Sequence, residues 1–197
     1  MLAIFKNLGE TIIYTAPKEE YNINMEPEVL TWDKPYFLPG KDSRESFFPL
    51  DNPVLQPLRE KGIVMCGYSR LKPPYRLGRP NPPINMAQFT LSGKGRFRSE
   101  QGDIALEKGS MLLVPSGLPH ALAIDGEDWE IIWFHFGPDK FWAPAWDKEE
   151  RVETFPDFQR MERTVKDLLT DLHSPFSLSP RLAEHMAQVL VILLDRK

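Results

Sequence analysis

The stretch "KGSMLLVPSGLPHALAI", residues 108–124, followed almost at once by "DWEIIWFHF", residues 128–136, decides how this chain is read. Gly109 makes a hairpin corner, an apolar strand climbs through Leu112 to Val114, and "PSGLP" turns the chain so that the His120 side chain can face an interior. Alternation along "WEIIWFHF" sets Trp129, Ile131, Trp133 and His135 on one face and Ile132, Phe134 and Phe136 on the other. A strand with two such faces is either the wall of a binding cavity or part of an ordinary β core. If Trp133 faces a cavity, His135 does too, and the Phe face must meet helices.

Upstream, Ile84 to Val114 holds no proline and divides into short pieces, "INMAQFTL", "GRFRSEQ", "DIALE" and "SMLLVP", separated by turns at "SGKG", "QGD" and "EKGS". Strands this short and closely spaced predict a sandwich or barrel rather than a βαβ sheet. Twelve of the nineteen prolines fall between Pro17 and Pro83, so that third reads as extended segments and turns in an irregular wrapping. "TIIYTA" near the start hints at a strand.

Downstream, "DFQRMERTVKDLLTDL" spaces Phe158, Met161, Val165, Leu168, Leu169 and Leu172 by threes and fours, which predicts an amphipathic helix. A second helix starts with Ser179 as N-cap and Pro180 in the first turn, and aligns Leu182, Met186, Val189, Leu190 and Leu193. Residues 151–197 carry seven Lys or Arg against seven Asp or Glu. Helices without a charge excess are poor readers of DNA and reasonable packing or dimer surfaces.

Composition narrows the classes further. With 197 residues, 42% of them hydrophobic, the chain can bury a good core, and a net charge of -4 supplies no field towards phosphate backbones. No run approaches the apolar length of a membrane span, and the N-terminus lacks the features of a signal peptide. The single cysteine, Cys66, cannot form an internal disulfide and fits a reducing, cytoplasmic setting.

Gly109, Pro115, Gly117 and His120 reproduce the second cupin signature, G(X)5PXG(X)2H, with Ile124 where its final Asn would stand. In enzymatic cupins that histidine joins a metal held by two histidines and a glutamate of a first signature. Here the glutamate falls at Met86 or Gln88 and the histidines among Pro80 to Pro83, none of which can ligate as that site requires. His173 and His185 lie in the helical tail, so His120 and His135 are the barrel imidazoles, and no metal or other cofactor is expected.

Taken together, "YRLGRPNPPINMAQFTLSGKGRFR", "LEKGSMLLVPSGLPHAL" and "DWEIIWFHFGPDKFWAPAW" make residues from about 60 to 197 resemble the ligand-binding and dimerisation domain of AraC-family transcriptional regulators. The resemblance implies a mainly β fold, a cupin (double-stranded β-helix or jelly-roll) barrel followed by two C-terminal amphipathic helices. Residues 1–55 would form an N-terminal extension or arm, 56–150 the ligand-binding barrel and 151–197 the helical dimerisation segment. It further implies a small effector inside the barrel, often a sugar, and DNA contacts made only by a separate helix-turn-helix domain that is not among these residues. Arg79 matches an arginine that holds sugar hydroxyls, Ser69 a threonine that also faces the sugar, and Trp133 a tryptophan on which the ring stacks. Gln88, His120 and His135 complete the candidate ligand-binding set. Two positions depart from the family: a pocket tyrosine is Leu122 here and a sugar-contacting histidine is Ile131. Both changes remove polar groups and point away from arabinose itself.

Three readings stand side by side. The first is an effector-sensing, homodimerising module of an AraC-type regulator, without catalysis. The second is a small cupin enzyme acting on a sugar, an isomerase, epimerase or lyase, with His120 or His135 as general base; it needs an acid partner, and neither strand face supplies an obvious Asp or Glu. The third is a purely structural dimerisation domain with a filled barrel, in which Trp129 and Trp133 are core aromatics, His120 bonds a backbone carbonyl and Arg79 lies at the surface.

Overall fold

The computed structural model describes residues 2–7, 10–15, 30–137, 149–173 and 180–195. Strands β1 (Leu2–Asn7) and β2 (Glu10–Thr15) form a separate antiparallel hairpin, and β2 takes in Thr11 to Thr15 of the expected "TIIYTA" strand. The Ser179 cap lies outside the described residues, as does most of "GPDKFWAPAW".

The remaining strands are β3 (Tyr36–Leu38), β4 (Arg44–Phe47), β5 (Ile63–Leu71), β6 (Arg76–Arg79), β7 (Asn85–Ser99), β8 (Gly102–Leu106), β9 (Ser110–Val114), β10 (His120–Phe136) and β11 (Arg151–Thr154). They make one nine-stranded antiparallel sheet in the order β11-β9-β7-β10-β5-β4, with β6 also on β10, β3 on β6 and β8 on β7. Its organisation comes from two long strands. The first half of β10 pairs with β6 and the end of β7, whereas its second half pairs with β5 and the start of β7. The sheet therefore folds over on itself along β7 and β10, giving the two facing layers of a jelly-roll.

One expected turn is strand instead. "SGKG" lies within β7, and "HALAI" and "WEIIWFHF" are one strand, with the pairing register slipping between Ile124 and Trp129. An extra length of chain at a bulge bends a strand without ending it, which is how a barrel corner is made. The turns at "QGD" and "EKGS" do connect strands, and Gly109 takes a φ of 87° at the second of them. The proline-rich third is more regular than its composition suggests. It contains β3 to β6, a 3-10 turn (Pro53–Leu55) capped by the Asn52 side chain, and a short helix α1 (Gln56–Glu60).

Two apolar cores follow from the alternation along β7 and β10. Ala87, Phe89, Leu91, Ile132, Phe134 and Phe136 pack outward against helices α2 (Phe158–His173) and α3 (Pro180–Asp195). Met86, Leu122, Trp129, Ile131 and Trp133 pack inward with Leu71, Tyr75, Leu77, Phe97 and Leu112. Each large apolar side chain so buried contributes about 1.5–3 kcal/mol. Helix α2 buries the expected stripe, Phe158, Met161, Val165, Leu168 and Leu169. Helix α3 does not behave as one stripe. Ala183, Ala187, Leu190, Leu193 and Leu194 are buried against the chain's own core, while Leu182 and Ile192 are exposed and Met186 and Val189 only half-buried.

Across the outer face, Glu130 of β10 bonds Tyr68 of β5, accepts from Ser92 Oγ at 2.9 Å and pairs with Lys166 of α2 at 3.0 Å. This ties α2 to the strands whose opposite faces carry Ser69 and Trp133.

Candidate functional site

The barrel interior brings the sequence-selected side chains together. Trp133 lies opposite Gly67 of β5 and Gln88 of β7, and its indole N–H donates to Ser69 Oγ at 2.9 Å. The His135 ring stands 5.0 Å from that of Trp133, and His135 Nε2 is 3.5 Å from Arg79 Nη1. His120 pairs with Arg79 in the strand register and stacks on Phe97 at 5.6 Å. Ser69, Gln88, His120 and His135 are buried and Arg79 is half-buried. Leu122 and Ile131, where the sequence departs from the sugar-binding pattern, belong to the same interior cluster and make its wall apolar at those points.

Hydrogen-bond direction fixes which ring nitrogen of each histidine carries the proton. His120 Nδ1 lies 2.9 Å from the Leu118 carbonyl oxygen. That oxygen can only accept, so Nδ1 donates and Nε2 of the neutral ring is left as an acceptor. A guanidinium can only donate, so His135 Nε2 accepts from Arg79 and the proton sits on Nδ1. Both rings are held neutral. Burial disfavours the imidazolium and the Arg79 charge disfavours it further, which brings His120 down to about 4 and His135 well below its ordinary value. Among the described residues, His120 Nε2, His135 Nδ1 and the Gln88 amide nitrogen are buried and have no hydrogen-bond partner in the protein. Unpaired buried polar atoms cost about 1–3 kcal/mol each, so three in one interior mark a place built to meet something polar.

One acidic group at this site has no counterpart in the sequence reading. Glu45 of β4 lies opposite Ser69, and its Oε1 accepts from Ser69 Oγ at 3.2 Å. Burial raises its pKa, and the Ser69 hydrogen bond and the Arg79 charge only partly offset that. Phe47, two residues on and therefore on the same face of β4, meets Trp133 edge-on at 5.3 Å between ring centroids. No local pattern around residue 45 marks it; only the pairing of β4 with β5 brings it in. The Ser69 hydroxyl, expected to face a ligand, is already engaged on both sides, accepting from Trp133 and donating to Glu45.

The residues do not fit a cupin metal centre. Among the described residues no three His, Cys, Asp or Glu side chains converge. Arg79 lies against His135 and its charge also reaches His120, so a cation there would meet a fixed positive charge. Outside the barrel, a groove lined by Pro156, Phe158, Arg160, Arg163 and Asp167 runs over the first turns of α2. It is open to solvent and lacks the buried polar groups of the interior.

A jelly-roll of this topology, backed by two helices on its outer face, defines a cupin-type barrel domain. The family model of the AraC-like ligand binding domain matches residues 88–191, more than half of the chain, and the chain belongs to that family. No curated protein matches the sequence. Among solved structures, the chain is similar to a putative glyoxylate-induced protein from Pseudomonas aeruginosa, with 15% identity and a TM-score of 0.43 over 66% of this chain. The similarity spans 45% of that protein's length. It is also similar to the cupin domain of an XRE-family transcriptional regulator from Enterobacter cloacae, with 12% identity, a TM-score of 0.40 and coverage of 49% of this chain and 98% of that one. A predicted oxalate decarboxylase from Thermotoga maritima gives 14% identity, a TM-score of 0.40 and coverage of 52% and 90%. Likenesses this remote say nothing about function. Among the described residues, no helix is long and apolar enough to cross a membrane.

Proposed function

We propose that this chain is the effector-sensing and dimerisation module of an AraC-type transcriptional regulator, and that a small, neutral, hydroxylated molecule, a sugar or related metabolite, binds inside the barrel. The observation that carries the reading is the trio of buried, unpaired polar atoms on Gln88, His120 and His135 beside the Trp133 indole. A flat indole covers the apolar face of a sugar ring while polar groups take its rim. Arg79 supplies fixed donors to adjacent oxygens. Binding to the folded state raises its stability by mass action, so a thermal-shift screen of sugars and related metabolites tests the reading. A selective rise in melting temperature with a sugar or polyol supports it; no rise across such a panel counts against it.

The dimer would form through α3, whose residues Leu182 and Ile192 are exposed and lie at helical spacing with the half-buried Met186 and Val189. The domain would act in the cytoplasm, and DNA would be contacted through a helix-turn-helix domain outside these residues.

A second reading, a cupin enzyme acting on a sugar, gains one supporting observation. The acid partner it needs is available in Glu45, whose raised pKa suits proton transfer. Conversion of a bound sugar, followed by NMR, would favour it; binding without turnover favours the sensor.

A further inference from the structure

We propose that Glu45 is itself an effector-binding residue, and that it makes the site select an uncharged polyhydroxylated molecule over the carboxylated form of the same skeleton. This rests on the effector-sensing reading above. Glu45 reaches Ser69 and the Arg79 charge from β4, a strand no family position assigns, and shares a face with Phe47, which packs edge-on against Trp133. Its carboxylate therefore stands beside the indole expected to lie under the ligand.

The hydrogen-bond inventory explains why the grip passes to Glu45. Ser69 has one hydroxyl hydrogen, and it goes to Glu45 Oε1. The Ser69 hydroxyl oxygen in turn accepts from the Trp133 indole. Ser69 is thus a positioning residue that holds the indole and the carboxylate in fixed relation. Glu45 keeps the lone pairs of its second oxygen, and His120 Nε2 is a further acceptor. His135 Nδ1 and the Gln88 amide are donors. A ligand matching two acceptors and two donors must both donate and accept, as hydroxyl groups do. A carboxylate brings no hydrogen for Glu45 or His120, and its charge meets that of Glu45. The Arg79 guanidinium, which would otherwise attract it, has its field partly offset by that same carboxylate.

The test uses the purified chain and a panel of uncharged sugars and polyols (glucose, xylose, arabinose, glucitol) matched with gluconate, xylonate, arabinonate and glucuronate, read by isothermal titration and tryptophan emission. The expected result is that an uncharged member binds and its acid counterpart binds at least about tenfold more weakly. Glu45→Gln, which keeps the shape and removes the charge, should shrink that preference to about threefold or less. Glu45→Asp, which keeps the charge, should retain the preference while weakening the sugar, and it serves if the Gln variant does not fold. Acids that bind the parent as tightly as neutral sugars overturn the role of Glu45 while leaving the sensing reading intact. So does an unchanged preference in a folded Glu45→Gln protein. If no member binds, the sugar reading falls and this inference falls with it.

Discussion

The Trp133 indole lies across Gly67 so closely that a Cβ at position 67 would stand 2.6 Å from indole Cζ2 and 2.9 Å from the Ser46 carbonyl oxygen. Glycine is what lets β5 act as a floor for the ring, and the same arrangement recurs where Trp129 lies over Gly95. Gly67→Ala should therefore cost about 1–3 kcal/mol by overpacking. It should also shift tryptophan emission, because the ring must leave Ser69. Denaturant melts and fluorescence check this, and an unchanged spectrum with unchanged stability would refute the packing.

The two faces of α3 allow stability and the proposed assembly to be tested apart. Leu190 is fully buried in the monomer, so Leu190→Asp should unfold the protein, at a cost of about 3 kcal/mol or more, and is no test of a dimer seam. Ile192 is 53% exposed. Ile192→Asp together with Leu182→Asp should leave the melting temperature of the monomer within a few degrees while shifting a dimer to monomer in light scattering. A dimer unaffected by both substitutions would place the seam elsewhere.

Acid should weaken the fold through the histidines. A group whose folded pKa lies below its unfolded value contributes stability that is complete above the unfolded value, near 6.5 for histidine, and fades as the pH falls. For His120, held at about 4, the loss between roughly pH 6.5 and 4 is about 3 kcal/mol at most, and His135 adds in the same direction. Glu45 acts oppositely, since its raised pKa removes stability as the pH rises through the carboxylate range, and it offsets part of the effect. Urea melts at pH 7 and pH 4.5 should differ, and His120→Gln should narrow the difference. Equal stability of the parent at both values would contradict the buried neutral imidazoles.

Much of this was legible in the sequence and some was not, for physical reasons. A period of two along "WEIIWFHF" separates interior from exterior without any tertiary knowledge, and the Phe face does meet the helices. Gly109, Gly117 and His120 carry their spacing because turn geometry is local. Glu45 was invisible because its place depends on β4 pairing across to β5, 24 residues away, and residues before 55 carry little periodic signal. The sequence of α3 presents a single stripe because an apolar helix does not reveal which of its residues its own core will claim.

Metal content gives an independent check on the donor set. Protein purified without chelator should carry well under one zinc, iron or manganese per chain by elemental analysis. The reason is that the Arg79 guanidinium stands beside both imidazoles, and among the described residues no third ligand converges on them. Stoichiometric metal lost on His120→Ala would revive the enzyme reading.

On the proposed reading, a small hydroxylated effector binds within the barrel and is gripped by Arg79. The most direct test is calorimetric titration of a ligand found by the thermal-shift screen into the parent and Arg79→Ala proteins. Losing hydrogen bonds from a charged donor should cost about 1.5–3 kcal/mol of binding. That is roughly a ten- to hundredfold weaker Kd. An Arg79→Ala protein that is folded and binds the same ligand as tightly as the parent would contradict the account and place the effector outside this barrel.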